Sequence, residues 1–378
     1  MKRTQLISSY ASSKLLRLLL RPLCLMPVRR NRVLFLSFRG KQYSCNPRAI
    51  SEALEQRPGK KPEIIWAFHA PEKFRFLKER GVRVLSDRGL KFLLTALTAR
   101  VVVTNTYYKP YLPRRKGQFY LRTWHGGGAY KKVDYPKGLM GAYIRMQQEG
   151  ADLYLSSSRA FTEMTLRDSF GYRGEVLEKG MPRNDPLANG AWRERAEAVR
   201  RELGLAGKKL LLYAPTYREG DQHIPAPEAE RLRRALQTRF GGKFVLLYRG
   251  HHVGGSTAFA WDKDVSDYGD MQPLLMAADV LITDYSSSIW DMSLTGKPAF
   301  LYCPDLEKYE RGFYTDLRAL PFPLAKDDEA LEKNILSFDE SAYAEAVKRH
   351  HEALGNCESG QAAKFAAERI IKECGMDS

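Results

Sequence analysis

Short apolar runs separated by stretches of helical spacing recur along almost the whole chain. Val33-Leu-Phe-Leu-Ser37, Ile64-Ile-Trp-Ala-Phe68, Val82-Arg-Val-Leu85, Val101-Val-Val-Thr104, Phe119-Tyr-Leu-Arg122 and Leu153-Tyr-Leu155 form one such series. Strands that alternate with helices predict a parallel sheet, because parallel neighbours need a crossover connection between them. After the turn-rich Pro182-Arg-Asn-Asp-Pro186 and a charged helical stretch at 192–203, the alternation restarts with Leu210-Leu-Leu-Tyr213, Phe244-Val-Leu-Leu-Tyr248, Val280-Leu-Ile-Thr283 and Ala299-Phe-Leu-Tyr302. The expected fold class is therefore α/β, with a domain boundary near residues 186–205. The units expected are 1–30, a basic amphipathic helix; 31–190, a first parallel-sheet domain; and 191–378, a second that closes with helices at 341–354 and 360–374.

Composition narrows the function classes. With 378 residues, 44% hydrophobic and 28% charged, the chain is globular and has room for two domains. The formal charge is +17, but residues 1–32 hold eight Lys/Arg and no acid, so the other 346 residues carry only +9. Strands that interleave basic and aromatic residues, as nucleic-acid binders do, are missing, and no nucleic-acid partner is expected. The five cysteines lack Cys-x-x-Cys spacing, which argues against both a disulfide framework and a zinc site and fits a reducing cytoplasm.

In the first 32 residues, Arg17, Arg21 and Pro22 interrupt every apolar stretch. None approaches the ~20 residues of a spanning helix, and no signal-peptide core is formed. The alternatives are an ordinary solvated first helix and a helix lying on anionic lipid. The absence of acidic counter-residues favours the anionic membrane surface as a partner.

Four segments follow predicted strands, where the ligands of open parallel sheets gather. In Arg122-Thr-Trp-His-Gly-Gly-Gly-Ala-Tyr-Lys-Lys132, Gly126, Gly127 and Gly128 allow backbone to approach a ligand closely. His125 there is either a catalytic group or a loop cap. Tyr213-Ala-Pro-Thr-Tyr-Arg218 carries Thr216 and Arg218, the latter a phosphate ligand or a surface ion pair. Tyr248-Arg-Gly-His-His252 offers Arg249 for phosphate and one histidine for a bridging oxygen; adjacent histidines on an extended chain point apart, which argues against a shared metal.

In the fourth segment, Asp279-Val-Leu-Ile-Thr-Asp-Tyr-Ser-Ser-Ser-Ile-Trp-Asp-Met-Ser-Leu-Thr-Gly-Lys-Pro298, a buried strand ends in a hydroxyl cluster. Ser286, Ser287 and Ser288 read as the cap and first turn of a helix, a ready anion site. Before it, the loop from Asp267 to Asp270 reads a base or ribose, with Asp270 also expected to cap the next helix.

In this order the segments resemble the CDP-glycerol glycerophosphotransferase family, the primases and polymerases of teichoic acid synthesis and related capsule polymerases. The resemblance covers residues 33–331. It rests on Thr123-Trp-His-Gly126, Arg249-x-His251, Asp264-Val-Ser-Asp-Tyr268, Asp279-Val-Leu-Ile-Thr-Asp-Tyr-Ser-Ser287, Thr295-Gly-Lys-Pro298 and Arg311-Gly-Phe-Tyr314, with Ser37-Phe-Arg-Gly-Lys-Gln-Tyr-Ser44, Asn46-Pro47 and Gly180-Met-Pro-Arg-Asn-Asp185 as weaker pieces. It implies a GT-B-type fold, two Rossmann-like domains with parallel sheets facing a central cleft. The second would hold a CDP-alditol donor and the first a lipid-linked saccharide or polymer acceptor, at the cytoplasmic face of the membrane. Two departures stand out: Gly127-Gly128 replaces the usual Thr-Pro, and His252 replaces a usual Pro.

The expected reaction moves an alditol phosphate, glycerol phosphate first, to an acceptor hydroxyl with release of CMP. CDP-ribitol or a nucleotide sugar are the alternative donors. His125 is expected as general base, with Arg249 and His251 stabilising the leaving group. Ser286, Ser287, Ser288, Arg218 and Thr216 are expected on donor phosphate, and Asp267 and Asp284 on the nucleotide or as orienting groups. Gly126, Gly127, Gly128 and Lys131 belong to the acceptor side. No metal and no cofactor is expected.

Overall fold

The computed structural model describes residues 3–133, 137–148, 150–216, 218, 224–250, 261–309 and 312–376. Seven strands build the first sheet: β1 (Arg29–Leu36), β2 (Glu63–Phe68), β3 (Arg83–Ser86), β4 (Ala99–Thr104), β5 (Phe119–Arg122), β6 (Leu153–Leu155) and β7 (Glu175–Leu177). Six build the second: β8 (Lys209–Ala214), β9 (Phe244–Tyr248), β10 (Lys263–Asp264), β11 (Val280–Thr283), β12 (Ala299–Tyr302) and β13 (Leu324–Ala325). The spatial orders are β3-β2-β1-β4-β5-β6-β7 and β10-β9-β8-β11-β12-β13. Every pairing is parallel.

The strands read as unbroken apolar runs because both faces of each sheet are covered. On β1, Val33 and Phe35 pack with Trp66, Phe68, Val101 and Val103 on one face. Leu34 and Leu36 pack with Ile65, Ala67 and Val102 on the other. A one-residue slip would exchange the two sets, so the register Val33↔Ile64 and Val33↔Val101 is pinned by side-chain size on both sides.

All ten anticipated strands are present. Edge strands β7, β10 and β13 were not anticipated; at two or three residues they carry no readable period. The final helix also differs in placement from the sequence reading, which grouped it with the second unit. Ala362–Glu373 crosses back and packs Ala366, Ala367, Ile370 and Ile371 against the core of the first sheet. Arg100 pins its end, donating to the Glu373 carbonyl at 2.6 Å and carboxylate at 2.7 Å. The Asp185 carboxylate accepts from the N–H groups of Ala362 and Ala363 at 2.7 and 2.8 Å, capping the helix from the opposite end of the interface.

The amino-terminal helix spans Arg3–Leu19 and meets the helix Gly138–Gln148 through Tyr10 and Tyr143, whose ring centroids are 6.5 Å apart. Ile7, Leu15, Leu16, Leu18 and Leu19 remain exposed. No described helix is long and apolar enough to cross a membrane.

Candidate active site

The loop after β5 and the turn after β11 meet where the two units face each other. A Cβ built on Gly126 would lie 3.5 Å from Ser287 Oγ. At Gly127 a Cβ would lie 2.7 Å from Trp290 Cδ1, and at Gly128, whose φ is +74°, 2.7 Å from the Tyr130 ring and 3.1 Å from Trp290 Cβ. Side chains of the same protein thus fill the space freed by the second and third glycines. This corrects the expectation that those two glycines make room for an acceptor. It also accounts for Gly127-Gly128 in place of bulkier residues: Trp290, fully buried, leaves no room for them.

Beyond the glycines the loop stays engaged with the second unit. Tyr130 joins its core, Lys131 bridges to Phe313 in antiparallel fashion, and Lys132 N–H donates to Gly312 at 2.9 Å. Lys131 is therefore anchored through its backbone against the second unit, although it was expected on the acceptor side.

His125 is half-buried between Phe38 and Trp124, with ring centroids at 5.5 and 4.5 Å. Its Nδ1 lies 2.9 Å from the carbonyl oxygen of Asn105, the residue after β4. A carbonyl can only accept, so this bond places the proton of the neutral imidazole on Nδ1 and makes Nε2 the basic nitrogen. Asn105 is itself fixed, accepting from Phe38 N–H at 2.8 Å and donating to Ser37 Oγ at 3.2 Å. Among the described residues, five other than glycine have φ in the left-handed region: Phe38, Arg39, Cys45, Trp124 and Ala129. Two of them, Phe38 and Trp124, press on His125, and Ala129 lies four residues beyond it in the same loop. Such strain persists only where the surroundings over-determine the backbone, and it concentrates at functional sites.

In the second sheet, the order β9-β8-β11 sets Arg249, Thr216 and the serine turn side by side along one edge. Asp284 Oδ1 accepts from Thr216 N–H at 2.8 Å, Thr216 Oγ1 at 2.6 Å and Tyr285 N–H at 2.5 Å. It is thus the cap of the turn, with Thr216 as its donor, where the sequence reading expected a nucleotide-binding or orienting group. Ser286 and Ser287 are partly exposed, whereas Ser288 is buried and donates inward to Ser286 Oγ at 3.0 Å. The helix they open, Ser288–Ser293, is a short one.

The placement of Arg218 corrects the expectation of a phosphate ligand. Its guanidinium, 5% exposed, lies 2.8 Å from Asp284 Oδ2 and donates to Asp305 at 2.7 and 3.2 Å. The cation stacks over Tyr285 and Tyr309 at 4.8 and 5.4 Å. A buried guanidinium needs carboxylate partners, and with two of them Arg218 is a strut beneath the serine turn.

Arg249 donates to the Tyr268 carbonyl at 2.7 Å, and burial lowers its pKa. Asp270 caps the helix Met271–Ala277 as anticipated and also accepts from Cys45 N–H at 3.2 Å, joining this loop to the first unit. Asp267 is exposed on the loop. His251 and His252 lie outside the described residues.

Sequence reading missed the network that joins the halves. Arg183 Nη2 donates to both carboxylate oxygens of Asp291, at 3.0 and 2.9 Å, both side chains about 5% exposed or less. Burial works against the charge on Arg183, but the Asp291 carboxylate and the Cys45 sulfur together outweigh it and hold the pKa above its ordinary value. Asn184 and Gln272 donate to the same carboxylate at 2.8 and 3.1 Å. Beside it Glu358 accepts from Asn184, Trp290 Nε1 and Met181 N–H at 2.9, 3.1 and 2.8 Å, with burial pushing its pKa up to about 7. The clue was present in Pro182-Arg-Asn-Asp and in Asp291, three residues past Ser288, but their pairing spans more than a hundred residues.

Two doubly wound parallel-sheet units, with a tautomer-fixed histidine on one and a hydroxyl-rich turn on the other, define a GT-B-like transferase. The chain belongs to the CDP-glycerol:poly(glycerophosphate) glycerophosphotransferase family, whose model matches residues 18–372. It is 29% identical to a teichoic acid poly(glycerol phosphate) polymerase of Bacillus spizizenii, over 92% of this chain and 93% of that protein. It is 30% identical to a teichoic acid glycerol-phosphate transferase of Staphylococcus aureus, over 91% and 93% respectively. The solved structure of the wall teichoic acid polymerase TagF superposes with a TM-score of 0.79 at 25% identity, covering 99% of both chains.

Proposed function

We propose that this enzyme transfers glycerol phosphate from CDP-glycerol to a hydroxyl of a teichoic-acid-type polymer or its lipid-linked saccharide precursor. The acceptor oxygen attacks the glycerol-bearing phosphorus, the bond from phosphorus to the CMP oxygen breaks, and the acceptor proton passes to His125 Nε2. The bond from His125 Nδ1 to the Asn105 carbonyl carries this reading, because it presents the unprotonated nitrogen needed by a general base near neutral pH. Such displacements depend on positioning and charge stabilisation more than on covalent catalysis.

In this reading Ser286 and Ser287 hold donor phosphate oxygens, and Arg249 with His251 stabilises the departing CMP. Arg218, Asp284, Thr216 and buried Ser288 hold the turn in shape. Gly126 lets the base loop approach the serines. Asp267 borders the nucleotide, and Lys131 keeps the acceptor-side loop docked. The first domain, 31–190, takes the acceptor and the second, from 191, the donor, with residues 1–30 as a membrane-associating helix. The exposed Ile7, Leu15, Leu16, Leu18 and Leu19, on a helix rich in Lys/Arg, support peripheral attachment at the cytoplasmic face of an anionic membrane.

The decisive test is product mass after incubation with a lipid-linked disaccharide and, separately, CDP-glycerol, CDP-ribitol and UDP-sugars. Addition of glycerol phosphate with CMP release is the expected outcome. Transfer from a UDP-sugar alone would overturn the reading, and transfer from CDP-ribitol alone would change its alditol.

A further inference from the structure

One pocket has no part in this scheme. It lies on the first unit between the amino-terminal helix, the loop after β4 and the helix Gly138–Gln148, with a volume of about 280 Å³ counting its open mouth. Arg17, Lys109, Arg114 and Arg122 line it together with Tyr108, and none of its lining residues is acidic. The cations are held in place. Arg17 donates to the carbonyls of Pro110 and Met146 at 2.5 and 2.9 Å, and Arg122 to those of Thr106 and Gln147 at 3.1 and 3.2 Å. The carboxylates nearby lie outside the lining: Asp87 pairs with Lys109 at 2.7 Å and Asp152 with Arg114.

Tyr108 supplies an independent observation. The residue is 7% exposed, and among the described residues its hydroxyl has no hydrogen-bond partner. Leaving a buried hydroxyl unsatisfied costs stability, and a bound acceptor oxygen would relieve that cost. Burial also raises its pKa well above the usual tyrosine value, so it remains a proton donor. Fixed cations and one neutral donor around an open mouth suit the oxygens of an anion such as a phosphate.

Position says where that phosphate comes from. Arg17 belongs to the helix whose Leu15, Leu16, Leu18 and Leu19 are exposed, so the pocket adjoins the surface assigned to the membrane. Tyr108 follows Asn105 by three residues and Arg122 precedes His125 by three, so the same two strand ends carry the pocket and the base. We propose that this pocket binds the phosphate of a membrane lipid, anchoring the lipid end of the acceptor while its saccharide extends to His125. The inference rests on the transferase reading for the acceptor's role, and on the pocket alone for phosphate binding.

The test uses the full chain and its Tyr108→Phe and Arg17→Gln variants, with Tyr108→Phe retaining the ring that fills the core. One arm compares acceptor KM for a short-chain lipid diphosphate saccharide and for the same saccharide on an uncharged tail. The other compares binding to phosphatidylcholine vesicles with and without phosphatidylglycerol. A rise of at least fivefold in KM for the diphosphate acceptor, with the uncharged one changed less than twofold, identifies the acceptor's own phosphate. At least fivefold weaker binding to phosphatidylglycerol vesicles alone identifies a bulk lipid headgroup. Variants that match the native chain in both arms overturn the proposal. If the native chain transfers to neither acceptor, the transferase reading fails, and the vesicle arm still decides the pocket.

Discussion

Gly126 and Ser287 face each other across the interface between the two units: a Cβ built on the glycine would sit 3.5 Å from the serine Oγ. The loop that carries His125 and the turn that carries the serines therefore meet in the fold, although 161 positions separate them in the chain. His125 precedes Gly126 in the chain, and under the proposed reaction its nitrogen and the serine oxygens serve the same reacting group.

Replacing His125 with Ala should lower kcat by about 10²–10⁴-fold, the range for loss of a general base. The acid limb of the kcat/KM profile against pH should disappear with it. Steady-state kinetics with CDP-glycerol in excess checks both; near-native turnover would remove the base assignment.

Ser286 and Ser287 should act on the donor. Two hydroxyls at about 1 kcal/mol each predict that a Ser286→Ala, Ser287→Ala variant raises the donor KM roughly tenfold or more while the acceptor KM moves little. An unchanged donor KM would reduce the stretch to a structural turn.

The Arg183–Asp291 pair should dominate the stability of the interface. Asp291→Asn leaves a buried guanidinium without its carboxylate, at a cost of about 3–5 kcal/mol. Arg183→Lys gives up the second nitrogen, which donates to Cys45 Sγ at 3.6 Å, and should also destabilise. Urea unfolding of the native and variant chains measures both, and a loss below 1 kcal/mol for Asp291→Asn would contradict the buried geometry.

Gly127 and Trp290 should be energetically coupled. A Cβ at Gly127 overlaps the indole edge, so Gly127→Ala should cost about 1–3 kcal/mol, as overpacking does. Adding Trp290→Leu should recover part of that cost, and a double-mutant cycle reads the coupling. Strict additivity would show that the contact is not tight.

Burial lowers the pKa of both His350 and His351 to about 4. Unfolded histidines take up protons near 6.5. Between these values the unfolded chain binds more protons, so this contribution to stability is present above pH 6.5 and is lost as pH falls toward 4. Glu358, raised to about 7, and Asp185, raised to about 6, act in the opposite sense, costing stability as pH rises through their windows. A His350→Gln, His351→Gln variant should lose the acid-side fall in Tm, leaving the slope set by the carboxyls. A native fall that survives in this variant would have another source.

Much of this protein was legible in the chain itself. Strands buried on both faces must be apolar throughout, so β1, β4, β8 and β11 stand out without any alignment. The helix-capping role of Asp270 follows from its place before Met271, because a cap is satisfied within a few residues. The four candidate segments are legible from their position after strands, and the roles expected of His125, Arg249 and the serines rest on residue chemistry together with the family resemblance of those segments.

Tertiary structure decided which of those groups meet and what each one faces. The tautomer of His125 depends on a carbonyl twenty positions earlier. Arg218 became a strut because folding brings Asp284 and Asp305 to it, and the space at Gly127 and Gly128 went to Trp290. The last helix returned to the first sheet, and Asp291 found Arg183. Local patterns report periodicity and caps, whose energies arise between near neighbours. Buried ion pairs, close backbone approaches and cross-domain packing join residues far apart in sequence, and only the folded chain sets their distances.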